Sequence, residues 1–142
     1  MDRDTKYVIL FSILLFFMIL LDYIWLNFIA KDLFYSQLKT ISGFKDMFYE
    51  IRSLKTSLLY FVVGLSMLFF FDPGIKEKDR ALLLGVFMGL FIYSTIEFSN
   101  YFFYNNYSPV VVCIDILWGI FLFTLASYVI YYFTQKFLTF KD

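Results

Sequence analysis

The most constraining feature of this sequence is an apolar run near its start, from Tyr7 to Ala30, whose central charge is Asp22. About 20 apolar residues suffice for a helix to cross the hydrocarbon core of a bilayer. The aspartate opposes insertion by about 2.5–3.5 kcal/mol, but each Leu, Ile or Phe favours it by about 0.3–0.6 kcal/mol, so the run inserts as a whole. Small residues are missing where a signal peptide would be cleaved, and we therefore interpret the run as a retained span.

Three further apolar runs predict three more transmembrane helices. They occupy residues 56–71, 81–103 and 110–133. The sequence is 61% hydrophobic and 25% aromatic, whereas a soluble domain is only about 45–50% apolar. We therefore predict an all-α fold, a four-transmembrane-helix bundle with one amphipathic interfacial helix, in which residues 1–142 form a single integral membrane domain.

The interfacial helix is predicted from the connector between the first two runs, residues 31–55, which carries five basic residues. Its apolar residues recur every three or four positions, at Phe34, Leu38, Ile41, Phe44, Phe48, Ile51 and Leu54. This period places them along one side of a helix that lies on the membrane surface, with a break near Gly43. A solvated loop is the alternative interpretation.

The orientation follows from the basic residues that flank the spans. Four spans place both termini on one side, and that side has seven Lys and Arg residues, against five on the other. Because cytoplasmic segments carry an excess of Lys and Arg, the count favours a multi-pass protein with both termini in the cytoplasm.

Three carboxylates interrupt the spans at the same predicted depth. At a rise of 1.5 Å per residue, Asp22, Glu97 and Asp115 lie roughly 6–8 Å from the midplane, toward the turn at residues 104–109. Each shares a helix face with other polar, aromatic or small residues, which are expected to turn inward. The predicted intramembrane site comprises Asp22, Trp25, Tyr93, Glu97, Asn100, Asp115 and Trp118. Predicted helix-packing positions are Gly64, Gly85, Gly89 and Gly119.

The composition excludes several classes of function. The sequence contains no histidine, which removes His-based general bases, serine and cysteine triads of the usual kind and His-ligated zinc or haem sites. The lone cysteine, Cys113, is interpreted as an apolar packing residue. No basic run is long enough to bind nucleic acid. Membrane lipid is the expected partner, and Gly85 and Gly89 predict close helix contact either within the chain or in a homodimer.

The sequence also resembles an uncharacterised family of small four-span membrane proteins, a domain of unknown function. The similar segments are LDYIWL at residues 21–26, FY at 34–35, LLYFVVGL at 58–65, IYSTIEFSN at 92–100 and IDILWG at 114–119. Glu97 stands where the family has aspartate, Ile96 where it has tyrosine and Ser99 where it has threonine. The resemblance implies the four-span fold and the importance of Asp22, Glu97, Asn100 and Asp115, but no substrate.

The predicted depth of the carboxylates contains no Lys or Arg, so at least one acid is expected to hold a proton or to face a bound cation. The leading hypothesis is a protein that binds or translocates a proton, a cation or a cationic solute, with no other cofactor and no bound metal. The alternative at the site is that the acids are neutral and serve only as structural hydrogen-bonding groups, with Asn100, Tyr93, Ser94 and the indole N–H groups of Trp25 and Trp118 as partners. An intramembrane carboxylate or metal-dependent enzyme acting on lipid, and an assembly factor, are the other functions left open.

Overall fold

The computed structural model describes residues 2–51 and 54–137, apart from the side chains of five residues between 47 and 56. The described residues form helices and no strand, and four of the helices are long and apolar enough to cross a membrane. The all-α prediction is therefore confirmed. The helices are α1 (Arg3–Ile24, continued by a π-helical turn at Trp25–Ile29), α2 (Lys31–Leu38), α3 (Phe44–Ile51), α4 (Leu54–Phe71), α5 (Lys78–Phe103) and α6 (Pro109–Phe137).

Local sequence signals explain where these helices begin and end. The Asp2 side chain accepts a hydrogen bond of 2.7 Å from the Thr5 amide and caps α1, as aspartate commonly does at this position. Pro73 lies in a 3-10 turn, Asp72–Gly74, that ends α4, and Pro109 is the first residue of α6, where its missing N–H leaves no hydrogen bond unmade.

Glycines bring α5 and α6 into backbone contact. A Cβ atom at Gly85 would lie 2.6 Å from the Thr124 Cα, and one at Gly89 would lie 2.4 Å from the Gly119 carbonyl oxygen. The Tyr93 ring packs directly against Gly119, and the Phe123 ring packs directly against Gly64 in α4. Gly85 and Gly89 therefore serve packing within the chain, which leaves neither of them exposed for a homodimer contact.

The helices α2 and α3 cover one end of the bundle. Gly43, between them, has a φ of 73°, a left-handed conformation that glycine adopts without strain and that interrupts the predicted amphipathic helix. Phe34, Leu38, Ile41 and Phe48 are buried in a core that also contains residues of α6. The connector is thus not a solvated loop; the side chains of Ile51 and Leu54 lie outside the described residues.

The outward faces of the long helices remain strongly apolar. Phe70, Phe102 and Phe103 are each about four-fifths exposed. Large contiguous apolar surfaces of this kind are uncommon on soluble monomers, but they suit helices that are surrounded by lipid chains.

Candidate functional site

The three carboxylates come together at the end of the bundle that holds the turn at residues 104–108. Asp22 lies in α1, Glu97 in α5 and Asp115 in α6, and they are 5%, 3% and 7% exposed. They lie roughly 9–12 Å from the midpoints of their helices at 1.5 Å per residue. This is farther from the centre than the sequence indicates, because the helices extend beyond the apolar runs.

Asp22 is surrounded by three neutral hydrogen-bond donors. The Ser57 hydroxyl donates to Oδ2 at 2.7 Å, while the Tyr93 hydroxyl and the Trp118 indole donate to Oδ1 at 3.2 and 3.0 Å. These donors come from α4, α5 and α6, so Asp22 ties all four long helices together. An ionised carboxylate only accepts hydrogen bonds, so the three donors favour the charged form of Asp22, whereas its burial opposes that form.

Glu97 and Asp115 lie within hydrogen-bonding reach of each other, close enough for a carboxyl–carboxyl hydrogen bond. Two carboxyl groups can be joined in this way only when one of them carries a proton, since ionised carboxylates have no hydrogen to donate. The Tyr107 hydroxyl, from the turn between α5 and α6, donates to Glu97 Oε2 at 2.8 Å. Burial and the adjacent Glu97 raise the pKa of the Tyr107 phenol, so it stays protonated and keeps donating.

Two stacked indoles lie next to the carboxylates. The Trp25 and Trp118 rings lie 4.7 Å apart and almost parallel, and the π-helical turn that begins at Trp25 widens α1 at this point. Such turns occur frequently at functional sites. The Trp25 Nε1 and Asp115 Oδ1 atoms are buried, and neither has a hydrogen-bond partner among the described residues. The Trp25 indole nevertheless lies within hydrogen-bonding reach of Asp115, so these two atoms are candidates to pair with each other.

A cavity of about 80 Å³ lies between the carboxylates. Asp22, Glu97 and Asp115 line it together with Ser57, Tyr60 and Asn100. A single water needs at least about 10–15 Å³ of such space, so the cavity can hold a few waters or one small cation. Tyr60 and Asn100 are half-buried, which places the mouth of the cavity between α4 and α5.

No basic residue of the described ranges forms an ion pair with any of the three carboxyl groups. The described ion pairs join Arg3 to Asp4 and Arg80 to Glu77, at exposed helix starts. Within residues 2–51 and 54–137, no group of three acidic side chains converges closely enough to hold a metal ion.

The structure brings most of the predicted site residues together. The Tyr93 hydroxyl and the Trp118 indole donate to Asp22. Glu97 and Asp115 lie side by side, and Trp25 stacks on Trp118. Asn100 lines the cavity and lies within hydrogen-bonding reach of the Tyr107 hydroxyl. Ser94, considered a structural partner of the acids, instead lines an apolar groove on the outer side of α5.

Sequence reasoning missed Ser57, Tyr60 and Tyr107. Ser57 lies near the start of α4, at the same end of the bundle as Asp22. The direction of α4 could therefore have indicated that Ser57 is close to the acids. Tyr107 lies in a turn, where helical periodicity carries no information. Its position depends on the left-handed conformation of Asn106, which has a φ of 65° and which Asn tolerates better than most residues.

A comparison with the sequence profiles of protein families shows to which family this chain belongs. The sequence profile of the family described as "Predicted membrane protein (DUF2177)" matches residues 7–132 of this chain. The chain belongs to DUF2177. The matched range contains the three carboxylates and every other lining residue of the cavity, so the acid cluster lies within the DUF2177 domain. Comparisons with curated proteins and with solved structures give no match.

Proposed function

We propose that this DUF2177 protein binds a proton or a small monovalent cation at the Glu97–Asp115 pair and carries it across the membrane. The observation that supports this most directly is the close approach of the two buried carboxyl groups beside a polar cavity that both of them line. The shared proton can be exchanged for one cation, because loss of the proton adds one negative charge and the bound cation neutralises it. A buried ionisable group in a membrane span is by default a functional candidate.

Asp22 acts in this proposal as the fixed negative charge. Its three neutral donors stabilise the carboxylate without neutralising it, so it raises the affinity of the cavity for a cation. The Trp25 and Trp118 rings stack on each other beside Asp22, and neither is among the described residues that line the cavity. Tyr93 links the groups, since its hydroxyl bonds to Asp22 and its ring packs on Gly119.

Flux measurements in liposomes test this proposal. Purified wild-type protein is reconstituted, and proton and Na⁺ or K⁺ movement is followed with internal dyes under an imposed gradient. We expect flux in wild type and at least a tenfold loss in Glu97→Gln, because glutamine cannot release a proton. The matched control is Glu77→Gln, which removes the same charge from an exposed position and should keep wild-type flux.

Each other result has a defined meaning. Wild-type liposomes without flux, together with a Glu97→Gln variant that melts well below wild type, would overturn the proposal and identify the acids as structural. Equal flux in wild type and in folded Glu97→Gln would also contradict it. A chemically altered lipid in the same liposomes would favour the enzymatic alternative. A homodimer, if one completes the pathway, uses a face other than Gly85 and Gly89.

We further propose that both termini lie in the cytoplasm, so that the acid cluster faces the opposite side. With Cys113 replaced by alanine, single cysteines at Asn105 and Lys76 test this orientation, since both residues are exposed and lie at opposite bundle ends. In intact cells, an impermeant maleimide should label Asn105→Cys at once and Lys76→Cys only after permeabilisation. The reverse pattern would invert the orientation.

A further inference from the structure

A second buried carboxyl group lies at the opposite end of the bundle, in the turn between α4 and α5. Asp72 is 0% exposed. Along α6, its partner Ser127 is twelve residues from Asp115, or roughly 18 Å away at 1.5 Å per residue. The acid cluster does not include this group, and the proposed cation site does not depend on it.

The hydrogen-bond geometry at Ser127 determines the protonation of Asp72. The Ser127 Oγ lies 2.6 Å from Asp72 Oδ2 and 2.5 Å from the Ala81 carbonyl oxygen. A serine hydroxyl has one hydrogen, and two contacts this short require two. The second hydrogen must come from Asp72, because the carbonyl has none. The chain of bonds therefore runs from the Asp72 carboxyl to Ser127 and from Ser127 to Ala81.

The other oxygen of Asp72 supports the same assignment. Asp72 Oδ1 is buried and has no hydrogen-bond partner among the described residues. An unpaired anionic oxygen in an apolar environment is far more costly than an unpaired carbonyl oxygen. A neutral carboxylic acid satisfies both observations, with Oδ2 as its hydroxyl oxygen and Oδ1 as its carbonyl oxygen.

The surroundings contain no described cation that would stabilise the charged form. The last turn of α4 is uncharged, and the charged residues between positions 76 and 80 are exposed. From α6, the Tyr131 hydroxyl donates to the backbone carbonyl of Lys76 at 3.4 Å, and Tyr128 lies beneath the Lys78 ammonium. Neither tyrosine bonds to Asp72 in the described structure.

We infer that Asp72 is a second proton-binding site, which holds the α4–α5 turn against α5 and α6 through Ser127 while it is protonated. The molecule then has a proton-binding carboxyl group near each end of the bundle. Residues 76–80 next to Asp72 are exposed to the solution on their side, so that side can supply or remove the proton. If Asp72 lost its proton, its carboxylate and the Ala81 carbonyl would both need the single hydrogen of the Ser127 hydroxyl. One of the two hydrogen bonds would then be lost, and the turn would loosen.

Infrared spectroscopy of the full-length protein in lipid tests this inference. At about pH 5, the difference spectrum between wild type and Asp72→Asn should contain the C=O stretch of a protonated carboxylic acid. Asp79→Asn is the matched control, because Asp79 is exposed in the same connector region and should lose only carboxylate bands. Loss of carboxylate bands alone in Asp72→Asn would show an ionised Asp72 and overturn the inference.

A second variant keeps the test decisive if Asp72→Asn does not fold. Ser127→Ala removes the acceptor of the Asp72 proton but leaves the acid in place. We expect the carboxylic acid band to move to higher frequency in this variant, because its hydrogen bond is lost. A change confined to the carboxylate bands would contradict the inference, whatever the flux activity of either variant.

Discussion

Replacement of Gly89 by leucine is expected to lower the free energy of unfolding by about 3 kcal/mol or more, at or above the upper end of the range for overpacked cores. A Cβ atom at this position would lie 2.4 Å from the Gly119 carbonyl oxygen and 2.6 Å from the Ile120 Cα. Both atoms belong to the α6 backbone, which cannot rotate aside as a side chain can. The two helices must therefore move apart and lose the packing around Tyr93.

Thermal unfolding in detergent, followed by circular dichroism, measures this effect. Gly89→Ala should produce a smaller loss in the same direction, because it introduces the Cβ clash alone. Gly74→Ala is the control, since a Cβ there would meet nothing within 4 Å, and its stability should stay near that of wild type. A Gly89→Leu protein with wild-type stability would mean that α5 and α6 are not in backbone contact.

Replacement of Asp22 by leucine is the second change for which we expect a large effect. It leaves the Ser57 hydroxyl, the Tyr93 hydroxyl and the Trp118 indole without their acceptor. Each buried donor left unsatisfied costs about 1–3 kcal/mol, so the total loss is expected to be about 3 kcal/mol or more. Asp22→Asn retains one acceptor oxygen and should lose less.

The same unfolding measurement checks this expectation, with a second substitution as an internal test. We attribute the instability of Asp22→Leu to donors that have lost their acceptor. Adding Tyr93→Phe removes one of these donors and should restore part of the lost stability. Asp46→Asn, at an exposed position of α3, is the control for loss of charge and should be near neutral. If Asp22→Leu is as stable as wild type, the hydrogen bonds to Asp22 do not hold the bundle together.

Much of the fold was predictable because membrane insertion depends on local composition. The signals that predicted it are local, since each extends over a single helix or turn. They are the four apolar runs, the Asp-Pro-Gly stop after α4 and the period of apolar residues in the 31–55 connector. Helix direction and the rise per residue also brought Asp22, Glu97 and Asp115 to one bundle end. These inferences needed no knowledge of which helices are neighbours.

The partners of each carboxylate were less predictable, because they depend on the rotation and spacing of the helices. Ser57 and Tyr107 reach Asp22 and Glu97 across distant parts of the chain, and the π-helical turn at Trp25 has no clear sequence signal. Asp72 stands in an Asp-Pro-Gly segment, a pattern that predicts a helix stop and a turn and nothing more. Its burial against Ser127 could not be expected, because the charged residues that follow it have the composition of a solvent-exposed connector.

The sequence by itself thus determined the class of the protein, its four spans and the bundle end at which three acids meet, since bilayer thickness and helical geometry leave few alternatives. Only the tertiary structure decided that Asp22 is surrounded by neutral donors, that Glu97 and Asp115 lie within hydrogen-bonding reach of each other, and that Asp72 is buried. The physical reason is that hydrogen bonds and burial depend on ångström-scale contacts between helices. In this chain, those contacts depend on the glycines that bring α5 and α6 together.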